Sequence, residues 1–125
     1  MVDGTRRALI GLLALALLAP IDAAAHAYLV KSVPTRRAAV LRAPARVQLW
    51  FNERIEPAFS RLAVWDAAGA QVDSKDARVS AEDPRELSVG LPPLAAGAYI
   101  VRFRVLSVDG HVVESEFPFT VRTGS

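Results

Sequence analysis

Apolar and polar residues alternate along most of this chain. Val47, Leu49 and Phe51 are interleaved with Gln48, Trp50 and Asn52, and Leu62 and Val64 with Ala63 and Trp65. The longest run sets Tyr99, Val101, Phe103 and Val105 against Ile100, Arg102, Arg104 and Leu106. A last run sets Phe117, Phe119 and Val121 against Glu116, Pro118 and Arg122. A period of two turns one set of side chains toward a core and the other toward water, which predicts strands. Their Val, Ile, Tyr, Phe and Trp content suits a pleated surface. Pro34, Pro44, Pro57, Pro84 and Pro92-Pro93 fall between the runs, where a missing amide hydrogen breaks no ladder. Pro118 falls inside one, so the last strand is expected at a sheet edge or with a bulge at its start. Short strands separated by turn signals, without an amphipathic helix, predict an all-β sandwich or barrel of about seven strands. The stretch from Asp73 to Arg85 lacks the pattern and reads as a polar loop. The chain shows no internal repeat and no second domain.

The first 25 residues follow other rules. Arg6 and Arg7 precede an uncharged apolar run from Ala8 to Ala19, and Pro20 ends it. Ala23 and Ala25 supply the small residues that a signal peptidase accepts, so 1–25 read as a cleaved secretory signal and 26–125 as one β domain. A bilayer-spanning helix needs about 20 apolar residues, and this run stops short of that. No membrane span is therefore expected after cleavage. Ala25-His26-Ala27 also fits the small-x-small rule and would release a chain starting at Tyr28.

Composition narrows the chemistry. The chain has 15 Lys+Arg, 13 Asp+Glu, two histidines, one methionine and no cysteine. The charges are scattered, with Arg36-Arg37 the one basic doublet beyond the signal, which argues against nucleic-acid binding. The methionine is Met1. A domain starting at His26 thus has no thiolate or thioether for a soft metal ion.

Both histidines stand at telling places. Cleavage after Ala25 leaves His26 with a free α-amine and an imidazole, which together chelate a metal through two nitrogens. His111 adds a third nitrogen and Asp109 an oxygen, a donor set that suits Cu(II). Asp109 and His111 are two apart, so on an extended segment their side chains share a face, and Gly110 leaves room for close approach. Asp109-Gly110 also reads as a common hairpin turn, with His111 an ordinary surface histidine and His26 the residue that happens to follow a signal.

These residues resemble the CopC family of periplasmic copper-resistance proteins. The shared features are His26-Ala27-Tyr28-Leu29 with Ser32-Val33-Pro34, Leu49-Trp50-Phe51-Asn52-Glu53, Gly97-Ala98-Tyr99 with Arg102 to Ser107, Val108-Asp109-Gly110-His111, and Phe117-Pro118-Phe119. The resemblance implies a seven-stranded Greek-key barrel of immunoglobulin- or cupredoxin-like shape that binds one Cu(II) in the periplasm. It assigns the metal to the amine and ring of His26, to His111, and to Asp109 as a weaker or axial oxygen. In some members the glutamate equivalent to Glu53 lies near the metal. A methionine-rich Cu(I) loop found in other members is absent here. The resemblance implies a non-enzymatic role in copper resistance, sequestration or transfer, beside an inner-membrane partner of the CopD kind. Two rivals remain at this point: a metal-free immunoglobulin-like interaction module, and a small copper-dependent oxidative enzyme built on a histidine brace.

Overall fold

The structure, a computed structural model, describes residues 27–122, so the signal expected over 1–25 and the candidate ligand His26 lie outside the described residues. Eight strands follow one another: β1 (Leu29–Val33), β2 (Ala39–Val40), β3 (Arg46–Phe51), β4 (Arg61–Asp66), β5 (Arg78–Val79), β6 (Glu86–Gly90), β7 (Gly97–Leu106) and β8 (Val112–Val121). A 3-10 turn at Pro57–Phe59 precedes β4. The strands form two four-stranded sheets, β1-β3-β6-β5 and β2-β8-β7-β4.

The alternation read from sequence is what closes these sheets on each other. Val47, Leu49 and Phe51 of β3, Leu62 and Val64 of β4, and Tyr99, Val101, Phe103 and Val105 of β7 are buried in one core with Phe117, Phe119 and Val121 of β8. Leu87 and Val89 of β6 join them. Phe51 meets Phe103 edge-on at 5.5 Å between ring centres, and Tyr99 stacks on Phe119 at the same distance. Tyr99 places its hydroxyl at the core margin, where it donates to the Ala95 carbonyl at 2.5 Å. Since Phe117 is 1% exposed, Phe117→Ala is expected to lower stability by about 3–5 kcal/mol in denaturant titrations. Arg102→Ala, on the outer face of the same sheet, should change it by roughly 0.5 kcal/mol or less.

Eight strands stand among the described residues where about seven were expected. β2 and β5 have two residues each, too few to carry a period. β5 pairs with β6 inside the stretch expected as a polar loop. That stretch is also tied down at its start. The buried Asp73 carboxylate accepts from the amides of Val64 and Lys75, each at 2.8 Å, and from the Gln71 side chain at 3.0 Å. Pro118 lies in mid-strand without a bulge, because β7 and β8 pair in unbroken register from Leu106↔Val112 to Gly97↔Val121. Its carbonyl accepts from Arg37 on the other side, so the missing N–H faces away from β7. On that side, among the described residues, β8 pairs with the short parallel strand β2 at Thr120 and Val121 alone. The edge expectation therefore holds for most of β8. Among the described residues no helix is long and apolar enough to cross a membrane.

Candidate metal centre

The β7-β8 hairpin is joined by residues 107–111, at the end of the sandwich where β1 begins and β3 ends. Ser107 accepts from the Gly110 amide at 3.0 Å, and its own amide donates to the His111 carbonyl at 2.9 Å. Gly110 has φ +92, in the left-handed region. This is a tight turn followed by a left-handed glycine, a common way to close a hairpin over few residues. A Cβ added at Gly110 would meet nothing within 4 Å, so glycine is required by its dihedral rather than by space. Gly110→Val is accordingly expected to destabilise the protein by roughly 1–2 kcal/mol or more in thermal melts, although the pocket around it is open.

The turn brings Asp109 and His111 together. The expected extended geometry, with both side chains on one strand face, is not what does it. His111 Nδ1 stands 3.1 Å from Asp109 Oδ1, with the two side chains 40% and 36% exposed. Ser107, itself 1% exposed, donates its hydroxyl to the same Asp109 oxygen, and the His111 amide donates back to Ser107 Oγ at 3.3 Å. The Ser107 hydroxyl, and next the His111 ring, hold the Asp109 carboxyl below the ordinary carboxylate range. Asp109 therefore stays an anion facing the imidazole. A carboxylate on one ring nitrogen fixes the tautomer, so that any metal bond would be made by the other nitrogen, Nε2.

Two neighbouring segments complete this end of the molecule. Ala27 is buried, and Tyr28 exchanges hydrogen bonds with Asn52: its amide donates to Asn52 Oδ1 at 2.6 Å, and its carbonyl accepts from the Asn52 amide at 3.1 Å. Two residues on, the Arg54 carbonyl accepts from the Val108 amide at 3.2 Å, and Ile55 bridges Ser107. Glu53 thus sits on the segment that joins the chain's entry to the Asp109-Gly110-His111 turn. Its Oε1 is shut off from solvent and has no hydrogen-bond partner among the described residues. A buried carboxylate oxygen without a donor is costly, and a cation would satisfy it. Among the described residues no three His, Asp or Glu side chains are close enough together to hold a metal ion. Asp109 and His111 are brought together, Glu53 is placed on the adjacent segment without joining them in such a cluster, and His26 lies outside the described residues.

Sequence reasoning passed over Ser107 and Asn52 as site residues. Ser107 bears a faint local signal, a hydroxyl two residues before an aspartate in a turn. Asn52 bears none, since its partner is 24 positions away.

The CopC-domain family model matches residues 29–122. The chain belongs to the CopC family. The crystal structure of CopC from Methylosinus trichosporium OB3b superposes with a TM-score of 0.72 at 42% identity, over 78% of this chain and 94% of that one. PcoC, a methionine-rich copper-resistance protein from Escherichia coli, gives 0.66 at 31% identity, over 78% of this chain and all of that one. The copper transport protein CutJ of Bacillus subtilis is 33% identical over 78% of this chain, which spans only 18% of that protein's length. CopC membership supports a copper-related, non-enzymatic function, which counts against the oxidative-enzyme reading. The two-sheet architecture likewise agrees with the CopC and PcoC structures. Unlike PcoC, this CopC-family chain has one methionine, Met1, and so lacks a methionine-rich segment.

Proposed function

We propose that the chain is an exported periplasmic copper carrier that holds one Cu(II) ion at a site built on a mature N-terminal His26. The observation that carries this reading is the Ser107-Asp109-His111 arrangement, an imidazole beside a hydrogen-bonded carboxylate, in a turn whose backbone is bonded to Arg54 and Ile55, next to the Asn52 that holds Tyr28. That arrangement supplies one nitrogen donor. Cu(II) prefers a tetragonal set of nitrogen and oxygen ligands, so further nitrogens must come from elsewhere. His26 is one peptide bond from Ala27, which is buried next to the Tyr28–Asn52 pair. Its α-amine and ring would supply the two missing nitrogens once the signal is cut after Ala25. Asp109 would orient His111 and offer its second oxygen as a weak or axial donor, and Glu53 would face the cation with its unpartnered oxygen.

In this role the protein buffers or hands on Cu(II), and a CopD-like inner-membrane protein is the natural recipient. Intact-mass measurement and Cu(II) titration of the secreted protein test the reading together. The expected result is a first residue of His26, one Cu(II) bound, and an electron paramagnetic spectrum of nitrogen and oxygen ligands without a thiolate band. A first residue of Tyr28, or a tight Cu(I) complex in a domain without sulfur donors, would overturn it.

A further inference from the structure

A second candidate site lies outside the copper-bearing end. A groove of about 960 Å³ runs along β4, on the outer face of its sheet, and is lined by Arg61, Lys75, Arg102, Arg104 and Trp65 with the carboxylates Glu114 and Glu116. Arg102 reaches Glu116 at 3.3 Å and Arg104 reaches Glu114 at 3.4 Å. Arg61 and Lys75 have no ion pair among the described residues, so the groove keeps an excess of positive charge. Arg61 stands directly across from Arg104 in the β4-β7 register, where like charges repel. Lys75 is held at φ +59, a left-handed conformation that a lysine adopts only under constraint. The constraint is the Asp73 carboxylate, which takes the Lys75 amide at 2.8 Å and fixes the loop at the groove's rim.

We propose that this groove docks an acidic, extended segment of a partner protein. Charge complementarity selects an anionic partner: carboxylates would relieve the Arg61–Arg104 repulsion and pair Lys75. The backbone selects an extended one. β4 is the edge strand of its sheet. The backbone groups that Val64 and Asp66 turn to the open edge are already engaged by the following loop, through Val64 N to the Asp73 carboxylate, Val72 N to the Val64 carbonyl, and Asp66 N to the Ala70 carbonyl. Leu62, two before Val64, turns its amide and carbonyl the same way, and lines the groove although its side chain is buried. An incoming strand can pair there, with its carboxylates over the arginines. Trp65, whose ring lies 5.9 Å from the Arg102 guanidinium, offers an aromatic floor. The Arg104↔Glu114 pair is two residues from Leu106↔Val112, which closes the hairpin bearing His111. A segment bound here therefore lies beside that loop.

The test uses the metal-free mature protein and a fluorescent peptide alternating Glu and Val, followed by anisotropy. The result expected is binding that weakens steeply with salt, and about tenfold or more lost in the Arg61→Glu/Lys75→Glu double variant. Arg42→Glu, at the opposite end of the sandwich, should bind as the parent does. Thermal melts check that each variant is folded, which both exposed sites favour. The proposal is overturned by salt-independent binding, by equal losses in Arg42→Glu, or by no binding at all. It is equally overturned if inorganic phosphate or phosphatidylglycerol vesicles compete for Arg61 and Lys75 while the peptide does not. None of these outcomes depends on copper, so failure here leaves the copper reading intact.

Discussion

A mature protein carrying one extra residue ahead of His26, such as a glycine left by a cleaved tag, is expected to lose its high-affinity Cu(II) binding while keeping its fold. The added residue removes the α-amine from the histidine that carries the ring, and a two-nitrogen chelate becomes a single imidazole. Each factor of ten in affinity corresponds to about 1.4 kcal/mol, and a chelating amine contributes several such factors. The amine has a reference pKa of about 7.7–8.0, so near neutral pH the metal displaces its proton at small cost. Competition against a chromophoric chelator measures the loss, and circular dichroism of the two metal-free proteins should coincide. Equal affinities in the parent and the extended chain would remove the N-terminal histidine from the site.

The second large effect belongs to His111. His111→Ala should weaken Cu(II) binding by orders of magnitude with little change in the metal-free melting temperature, because the side chain is 40% exposed and packs no core. Asp109→Ala should cost less, roughly 10–100-fold, as expected of a carboxylate that orients a ligand. Ser107→Ala should follow Asp109 rather than His111, since it removes the hydroxyl that holds the carboxylate in place. Acid should release copper through the nitrogens. Asp109 is held below its ordinary carboxylate range and so stays charged while the nitrogens take up protons. The folded state's preference for ionised Asp109 is a stabilising contribution present above its unfolded pKa and lost only as pH falls through the lowered folded value. Copper affinity should therefore fall as pH is lowered, because protons compete with the metal for its nitrogen donors, and Asp109→Asn should lower the affinity across the whole range.

Much of this molecule was legible in its order of residues. The inward residues of β3, β4, β7 and β8 could be named from alternation alone, since the pleat of a strand is a local property that any window of the sequence carries, whereas Leu87 and Val89 of β6, buried without alternation, could not. The hairpin turn at Asp109-Gly110 was legible in the same local way. Its glycine takes a left-handed dihedral that a β-branched residue resists, and that preference belongs to the residue itself. The want of sulfur ligands in a domain starting at His26 is likewise a matter of composition, and it excludes a soft-metal site before any fold is known.

Other features needed the tertiary structure. The reading of Asp109 and His111 as neighbours on a strand face gave the right pair by the wrong geometry, because a turn, and not an extended segment, sets their side chains 3.1 Å apart. Two-residue strands such as β2 and β5 carry no period, and they form only because a long neighbour offers its edge. The roles of Asn52 and Glu53 depend on where β1 enters relative to β3, and the groove beside β4 depends on three strands and a returning loop. Such relations join residues far apart in the chain, as in the Tyr28–Asn52 bond across 24 positions. Residue preferences act locally, whereas these partners are chosen by the packing of two sheets around one core, which no single stretch of sequence contains.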